Sequence, residues 1–155
     1  MGLEKKRSAR EIILKIALEH CKQRLMRRRF SFCLEEPDEF FDRLKEKNLI
    51  DAIQQFNGTI IGFSAGAMVQ IQDFHIIEDD LYKEYSYHEG LDLLTDFDVE
   101  VHFEKDDSTM QASIQRCLKE KKKVVYGIGN AGAVIVEGDS ILTLGEVEKY
   151  EQQSQ

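Results

Sequence analysis

Gly62-Phe63-Ser64-Ala65-Gly66-Ala67 holds a serine between two glycines at the spacing G-x-S-x-G, and the chemistry that this spacing serves is nucleophilic attack. Thr59-Ile60-Ile61 leads into it as a buried strand would, and Ala67-Met68-Val69-Gln70-Ile71 leaves it as the first turns of a helix would. A serine on a sharp strand-to-helix turn has its hydroxyl held outward, and Gly62 and Gly66 suit the tight fold of backbone around it. Backbone N–H groups at the helix start can then stabilise a developing oxyanion.

Such a serine needs a base, and the chain has four histidines. His20 falls in an expected N-terminal helix. His75 and His88 fall in a polar stretch where solvated histidines are common. His102 lies in an alternating segment whose neighbours Val101 and Phe103 face the other way, a pattern that suits a plain surface residue as well as a base. Acids are too plentiful for the pattern to name a third member: Asp73, Glu78, Asp79, Asp80, Asp92 and Asp96 all lie between Ser64 and His102.

Other chemistry finds less support. His75 and Glu78 are spaced i, i+3 without a second histidine to complete a ligand set, so no metal is expected. Gly127-Ile128-Gly129-Asn130-Ala131-Gly132 satisfies G-x-G-x-x-G after a strand, but Ala133-Val134-Ile135-Val136 continues as a second strand instead of a helix. The dinucleotide reading therefore fails its context, a glycine-permitted loop between strands is expected, and no cofactor is implied.

The elements that must position these residues are legible in outline. Residues 8 to 28 predict a helix with Ser8 as cap, Glu11 three residues on, and a stripe of Ile12, Ile13, Ile16, Ala17 and Leu25. Phe30 to Leu34 suits a short strand ended by Glu35-Glu36. Pro37, the only proline, suits the first turn of a helix from about Asp38 to Lys47, and Leu49 to Gln55 suits a shorter one. Residues 73 to 95 predict a long polar loop. Phe97, Val99, Val101 and Phe103 alternate with Asp98, Glu100, His102 and Glu104, a period-2 strand. Ser108 to Lys119 predicts a helix capped by Ser108. Val124-Val125-Tyr126 predicts a buried strand, and Ala133–Val136 with Ile141–Leu144 flank the turn Gly138-Asp139 as a hairpin. Strands alternating with helices indicate an α/β domain, a mainly parallel sheet flanked by helices, with a C-terminal β-hairpin.

Composition sets the surroundings. A chain of 155 residues makes one domain with a core of its own. The net charge of −8 opposes general binding to nucleic acid or an anionic membrane, despite the local cluster of Arg24, Arg27, Arg28 and Arg29. Cys21, Cys33 and Cys117 are odd in number and lack metal spacing, which suits reduced thiols in the cytoplasm. No signal peptide and no membrane span are expected.

Gly62 to Met68, reading GFSAGAM, resembles the G-x-S-A-G-A elbow of the S51 serine peptidases, the peptidase E and cyanophycinase group, whose fold is related to class I glutamine amidotransferases. Phe40 to Ile53 resembles the helix and connection before the elbow strand. Gly90 to Phe103, ending VEVHF, resembles the segment that carries the catalytic histidine, and Val124 to Val136 the strand–loop–strand that carries the triad acid. The resemblance covers about residues 37 to 145, which sets an S51-like domain at 37–148 between an atypical or truncated N-terminal part, 1–36, and a polar tail, 149–155. It implies Ser64 as nucleophile, His102 as general base and the N–H of Ala65 as an oxyanion donor. Asp79 falls where the family has an aspartate implicated in activity. The implied reaction is hydrolysis of small peptides, typically aspartyl dipeptides, through an acyl-enzyme. The implied partner is that small peptide; a homodimer is left open, and the net charge speaks against nucleic acid and membrane.

Three positions depart from the family. Its triad acid, a glutamate in peptidase E, falls on Asn130, and Val101 stands where peptidase E has proline. The glycine loop that supplies a second oxyanion donor reads Leu34-Glu35-Glu36, which stiffens the backbone and brings negative charge toward an oxyanion. A shifted reading frame would account for this, since CTG-GAG-GAA read two nucleotides on gives Gly-Gly; the coding DNA decides it. The departures keep two other readings open, a catalytically inactive binding module and a serine hydrolase acting on a different acyl group.

Overall fold

The computed structural model describes residues 29–34 and 36–152. The expected helix over residues 8 to 28, with His20 and most of the arginine cluster, lies outside the described residues, as does Glu35. The first described element is strand β1 (Arg29–Leu34), which pairs in parallel with β2 (Thr59–Ser64) in a register that sets Leu34 beside Ser64. Leu34, the end of β1, thus lies next to Ser64.

Helix α1 (Pro37–Glu46) begins at the lone proline, whose missing N–H costs nothing in a first turn. Asp38 and Glu39 stand in its first turn and Arg43 and Lys45 in its last, each complementing the helix dipole. Phe40, Phe41 and Leu44, at spacings i, i+1 and i+4, make the stripe it buries. A short α2 (Ile50–Gln54) follows and buries Ile53. After β2 comes α3 (Ala65–Met68), a single turn where the sequence suggests a longer helix. It ends early because the backbone after Met68 turns to other partners: Leu91 N–H donates to Val69 O, and Leu93 and Leu94 donate to Gln70 O.

The stretch from 73 to 95 is not a plain loop. Strands β3 (Asp73–Ile76) and β4 (Ser86–Glu89) pair antiparallel within it, with His75 opposite Tyr87 and Phe74 opposite His88. Four residues per strand give too short a run for a period to show in a polar sequence. Phe74, Ile71, Val69 and Leu91 are fully buried and join Phe40, Phe41 and Leu44 in the main core.

Strand β5 (Asp98–Val101) pairs in parallel with β6 (Val124–Glu137), and β6 pairs antiparallel with β7 (Ser140–Glu151) around the expected Gly138-Asp139 turn, where Gly138 has φ +59°. The segment Gly127–Gly132 is part of β6 and not a loop; its register shifts between Ile128 and Gly132. A Cβ on Gly132 would lie 2.2 Å from Glu146 O, so that glycine serves close strand approach and not a phosphate. Helix α4 (Ser108–Glu120) buries Ser113, Ile114, Cys117 and Leu118. The architecture is α/β, with parallel pairs at β1–β2 and β5–β6, helices against them and a C-terminal hairpin. No helix among the described residues is long and apolar enough to cross a membrane.

The cap of α4 is Asp107, one residue before the expected Ser108: its Oδ1 accepts from Thr109 N at 2.7 Å and Met110 N at 3.2 Å. Asp107→Ala should therefore lower stability by about 1 kcal/mol in urea unfolding, and Ser108→Ala by less than about 0.5 kcal/mol. Equal losses would contradict this capping.

Candidate active site

Ser64 ends β2 in a left-handed conformation, φ 52° and ψ −123°, which reverses the chain into α3. A non-glycine residue there costs on the order of 1–3 kcal/mol and persists only where its surroundings fix it. Gly62 supplies part of that fixation. A Cβ at Gly62 would fall 2.0 Å from Gly66 O and 2.2 Å from Gln70 Nε2, so the two elbow glycines meet through backbone. Gln70 Nε2 then donates to Gly66 O at 3.0 Å and clips the turn shut. Ala65, buried behind the serine, opens α3, so its N–H is one of the first-turn amides with no partner inside the helix.

His102 lies just beyond β5, not inside a strand, and also has positive φ, 55°. The chain steps over it: Val101 pairs with Ile128, and Phe103 N–H donates to Ile128 O at 3.0 Å. His102 is thereby pushed out of the ladder toward Ser64. Ser64 Oγ and His102 Nε2 are 2.7 Å apart, and His102 Nδ1 is 2.8 Å from Asn130 Oδ1. Asn130 sits in the irregular segment of β6 between Ile128 and Gly132. With Nδ1–H donating to the amide oxygen, Nε2 keeps a lone pair for the serine proton. Ser64 is half-buried, while His102 and Asn130 are exposed, so the arrangement is open to solvent.

Asp79 is elsewhere. Its Oδ1 accepts from Leu81 N and Tyr82 N, both at 2.7 Å, and its N–H donates to Tyr82 O, so it shapes the turn between β3 and β4. That turn is moored to α1 by Tyr82, whose hydroxyl donates to Asp38 Oδ1 at 2.5 Å. Burial, then this hydrogen bond, raises the Tyr82 pKa. An open pocket of about 320 Å³ lies nearby, lined by Asp38, Phe41, Lys45 and His88 among others, and includes none of Ser64, His102 and Asn130. Exposed charges define it, and it is set apart from the serine chemistry.

A model of peptidase family S51 matches residues 39–144. No curated protein matches the chain. Among solved structures, the chain is similar to a candidate peptidase E protein from Listeria monocytogenes EGD-e, at 19% identity and a TM-score of 0.57, over 82% of this chain. The chain spans 64% of the length of that protein.

A second polar cluster is buried between β3 and β5. His75, expected to be solvated, is 1% exposed, and Asp98 and Glu100, on the alternating polar face of β5, are buried as well. His75 Nδ1 is 2.9 Å from Asp98 Oδ2, and Nε2 is 3.0 Å from Glu100 Oε2. Both ring nitrogens face carboxylate oxygens, so both carry protons and the ring is an imidazolium. Asp98 Oδ2 also accepts from His75 N and from Cys117 Sγ, and Glu100 Oε2 from Ser113 Oγ. His75, Asp98 and Cys117 each offer one ligand atom within 4.8 Å of the others, a spread that could hold a metal ion. Here Asp98 Oδ2 is already filled by three protein donors. The His75–Glu78 pairing weighed from sequence plays no part in the cluster.

Burial works to lower the pKa of His75, but its hydrogen bonds to Asp98, Cys117 and Glu100 outweigh it and raise the value to about 12. A histidine with a raised folded pKa contributes stability that is full below the unfolded value, near 6.5, and is lost as pH rises through the folded one. The urea midpoint of the protein should therefore fall between pH 7 and pH 10 by more than that of His75→Gln. Parallel pH dependence in the two proteins would contradict a buried imidazolium.

Proposed function

Because the chain belongs to peptidase family S51, matched over more than half its length, we propose that it is a serine peptidase that hydrolyses small peptides, aspartyl dipeptides foremost, through an acyl-enzyme on Ser64. The observation that carries this reading is the 2.7 Å contact between Ser64 Oγ and His102 Nε2 at the end of a G-x-S-x-G turn.

In the proposed reaction Ser64 Oγ attacks the peptide carbonyl carbon while its proton passes to His102 Nε2. The carbonyl oxygen becomes an oxyanion that the Ala65 N–H stabilises. His102 returns the proton to the leaving amine as the C–N bond breaks. Water then attacks the acyl-enzyme with His102 again as base, and Ser64 is regenerated. Asn130 Oδ1 holds the Nδ1–H tautomer throughout. It orients the ring as a carboxylate would, but offers no charge to the imidazolium that forms in each half-reaction.

A second reading, a binding module with no turnover, is favoured by the Leu34–Glu36 segment, which starts beside Ser64 where the family has glycines. An acidic rim would weaken an oxyanion by charge repulsion. Turnover of an aspartyl chromogenic peptide and labelling by a fluorophosphonate separate the two readings.

Ser64→Ala should abolish labelling and lower kcat/KM by about a thousandfold or more. Asn130→Asp should raise kcat by about two- to fivefold, the worth of an exposed ion pair. It should also move the acid limb of the pH–rate profile upward, because a nearby negative charge favours the protonated ring. A folded wild-type protein that neither turns over the peptide nor labels at Ser64 would replace this proposal with the binding module.

A further inference from the structure

We propose that His75 is a positioning residue: clamped between Asp98 and Glu100, it fixes β5 against β3 and so sets where His102 meets Ser64. The inference rests on reading Ser64 and His102 as nucleophile and base.

Ser64 and His102 come from different sheets. Ser64 closes β2 in the β1–β2 pair, and His102 follows β5 in the β5–β6–β7 sheet; among the described residues no ladder joins them. Their 2.7 Å contact therefore depends on whatever holds the two sheets in register. From Ser64 the chain runs through α3 directly into β3, which carries His75. From the other side, Glu100 stands two residues before His102 on the same strand. His75 is the side chain that closes this circuit, with one nitrogen on Asp98 and the other on Glu100.

Apolar packing of α3 on β5 also joins the halves, but such contact has no direction and tolerates a slide. A flat ring with a hydrogen bond at each end does not. It fixes the spacing of β3 and β5, and it fixes the position of β5 along its own axis, since only Asp98 and Glu100 can meet both nitrogens. The plane of the ring is held by Tyr85, stacked at 5.5 Å with an interplanar angle of 21°. The two carboxylates are held in turn from α4, by Cys117 on Asp98 and Ser113 on Glu100. Val99 N–H donates to the other Asp98 oxygen at 2.8 Å, which locks that side chain to its own strand. Each tie restricts the rotamer of the next, so little freedom remains between β3 and Glu100, two residues before His102. A shift of about 1 Å at the end of β5 is enough to break a bond between His102 and Ser64, and misplacement on that scale can cost on the order of a hundredfold in rate.

A cluster that only stabilised the fold would behave differently, and the test separates the two roles. Three variants are compared with the wild type: His75→Gln, which can reach one carboxylate at most; Glu100→Met, which keeps the length of the side chain but offers no acceptor to His75 Nε2; and Leu118→Ala, a buried α4 residue outside the polar cluster that lowers stability alone. The readouts are the rate at which a fluorophosphonate labels Ser64 as a function of pH, and the NMR resonance of the His102 Nδ1–H proton. Both clamp variants should label about tenfold more slowly or worse while folded, with an altered pH profile and a shifted or lost His102 signal. Leu118→Ala should label as the wild type does. Folded clamp variants with the wild-type rate, profile and resonance would overturn the proposal. Should His75→Gln not fold, Glu100→Met decides by the same criteria. Should the wild type not label at all, the nucleophile reading fails by itself, and the His102 resonance in the two clamp variants still decides whether His75 positions that ring.

Discussion

The contact between Ser64 Oγ and His102 Nε2 is the constraint from which the rest of the arrangement follows, because its two partners leave separate sheets at positions of strained backbone. Each has positive φ, and each such residue costs on the order of 1–3 kcal/mol unless its neighbours demand it. On the serine side the demand comes from Gly62, whose missing Cβ admits Gly66 O, and from the Gln70 amide that ties the turn. On the histidine side it comes from the backbone bond of Phe103 to Ile128, which leaves no room for His102 in the ladder. The irregular register of β6 between Ile128 and Gly132 then offers Asn130 at the height of the displaced ring. Two strand ends and one break in register, in three different strands, are thus one device seen from three sides.

Holding two sheets to within about 1 Å asks for directional bonds, and β5 provides them at an energetic cost. A buried imidazolium between two carboxylates leaves net negative charge inside the protein, and apolar residues of similar volume often stabilise as well or better. What the apolar alternative lacks is a preferred register. The fully buried Phe74, Ile71 and Val69 supply cohesion around β3, and the His75 cluster supplies alignment. The division fits the sequence: apolar residues occupy one face of β5, while the other is acidic and equally buried.

Much of the frame was legible in the residues. The elbow showed itself because glycine spacing and flanking apolar runs are local signals. Helix α1 followed from Pro37, and the hairpin from Gly138-Asp139. His75 was illegible for the opposite reason. Asp73–Ile76 and Ser86–Glu89 are strands of four residues whose stability comes from partners distant in sequence, so no period betrays them. The acidic face of Asp98 and Glu100 looked like a solvated one, since alternation reports that two faces differ, not that one of them meets water. The alternation of Tyr85 with Tyr87 around Ser86 was the available signal, being two aromatic residues on one face of what then has to be a strand. The conformation of His102 had no signal at all. Positive φ at a non-glycine residue is set by the ladder beside it, and the sequence carries only the residue that tolerates it.

The two departures in the site do not weigh equally, and their exposure decides which matters more. A charged partner for His102 acts by Coulomb attraction, which water weakens, and both His102 and Asn130 are exposed. An amide oxygen at 2.8 Å still selects the tautomer, because that choice rests on which atom faces Nδ1 and not on dielectric. Asn130 therefore keeps most of what a carboxylate could do at so open a position. The Leu34–Glu36 side is different. An oxyanion needs donors placed before the reaction begins, and a missing donor is not replaced by reorienting water at the same cost. The register of β1 on β2 sets Leu34 beside Ser64, and the sequence that follows, Glu35-Glu36, is what the family resemblance aligns with its glycine loop. In the proposed reaction the second oxyanion donor, and not the partner of the histidine, is therefore where this sequence departs most from what the chemistry asks.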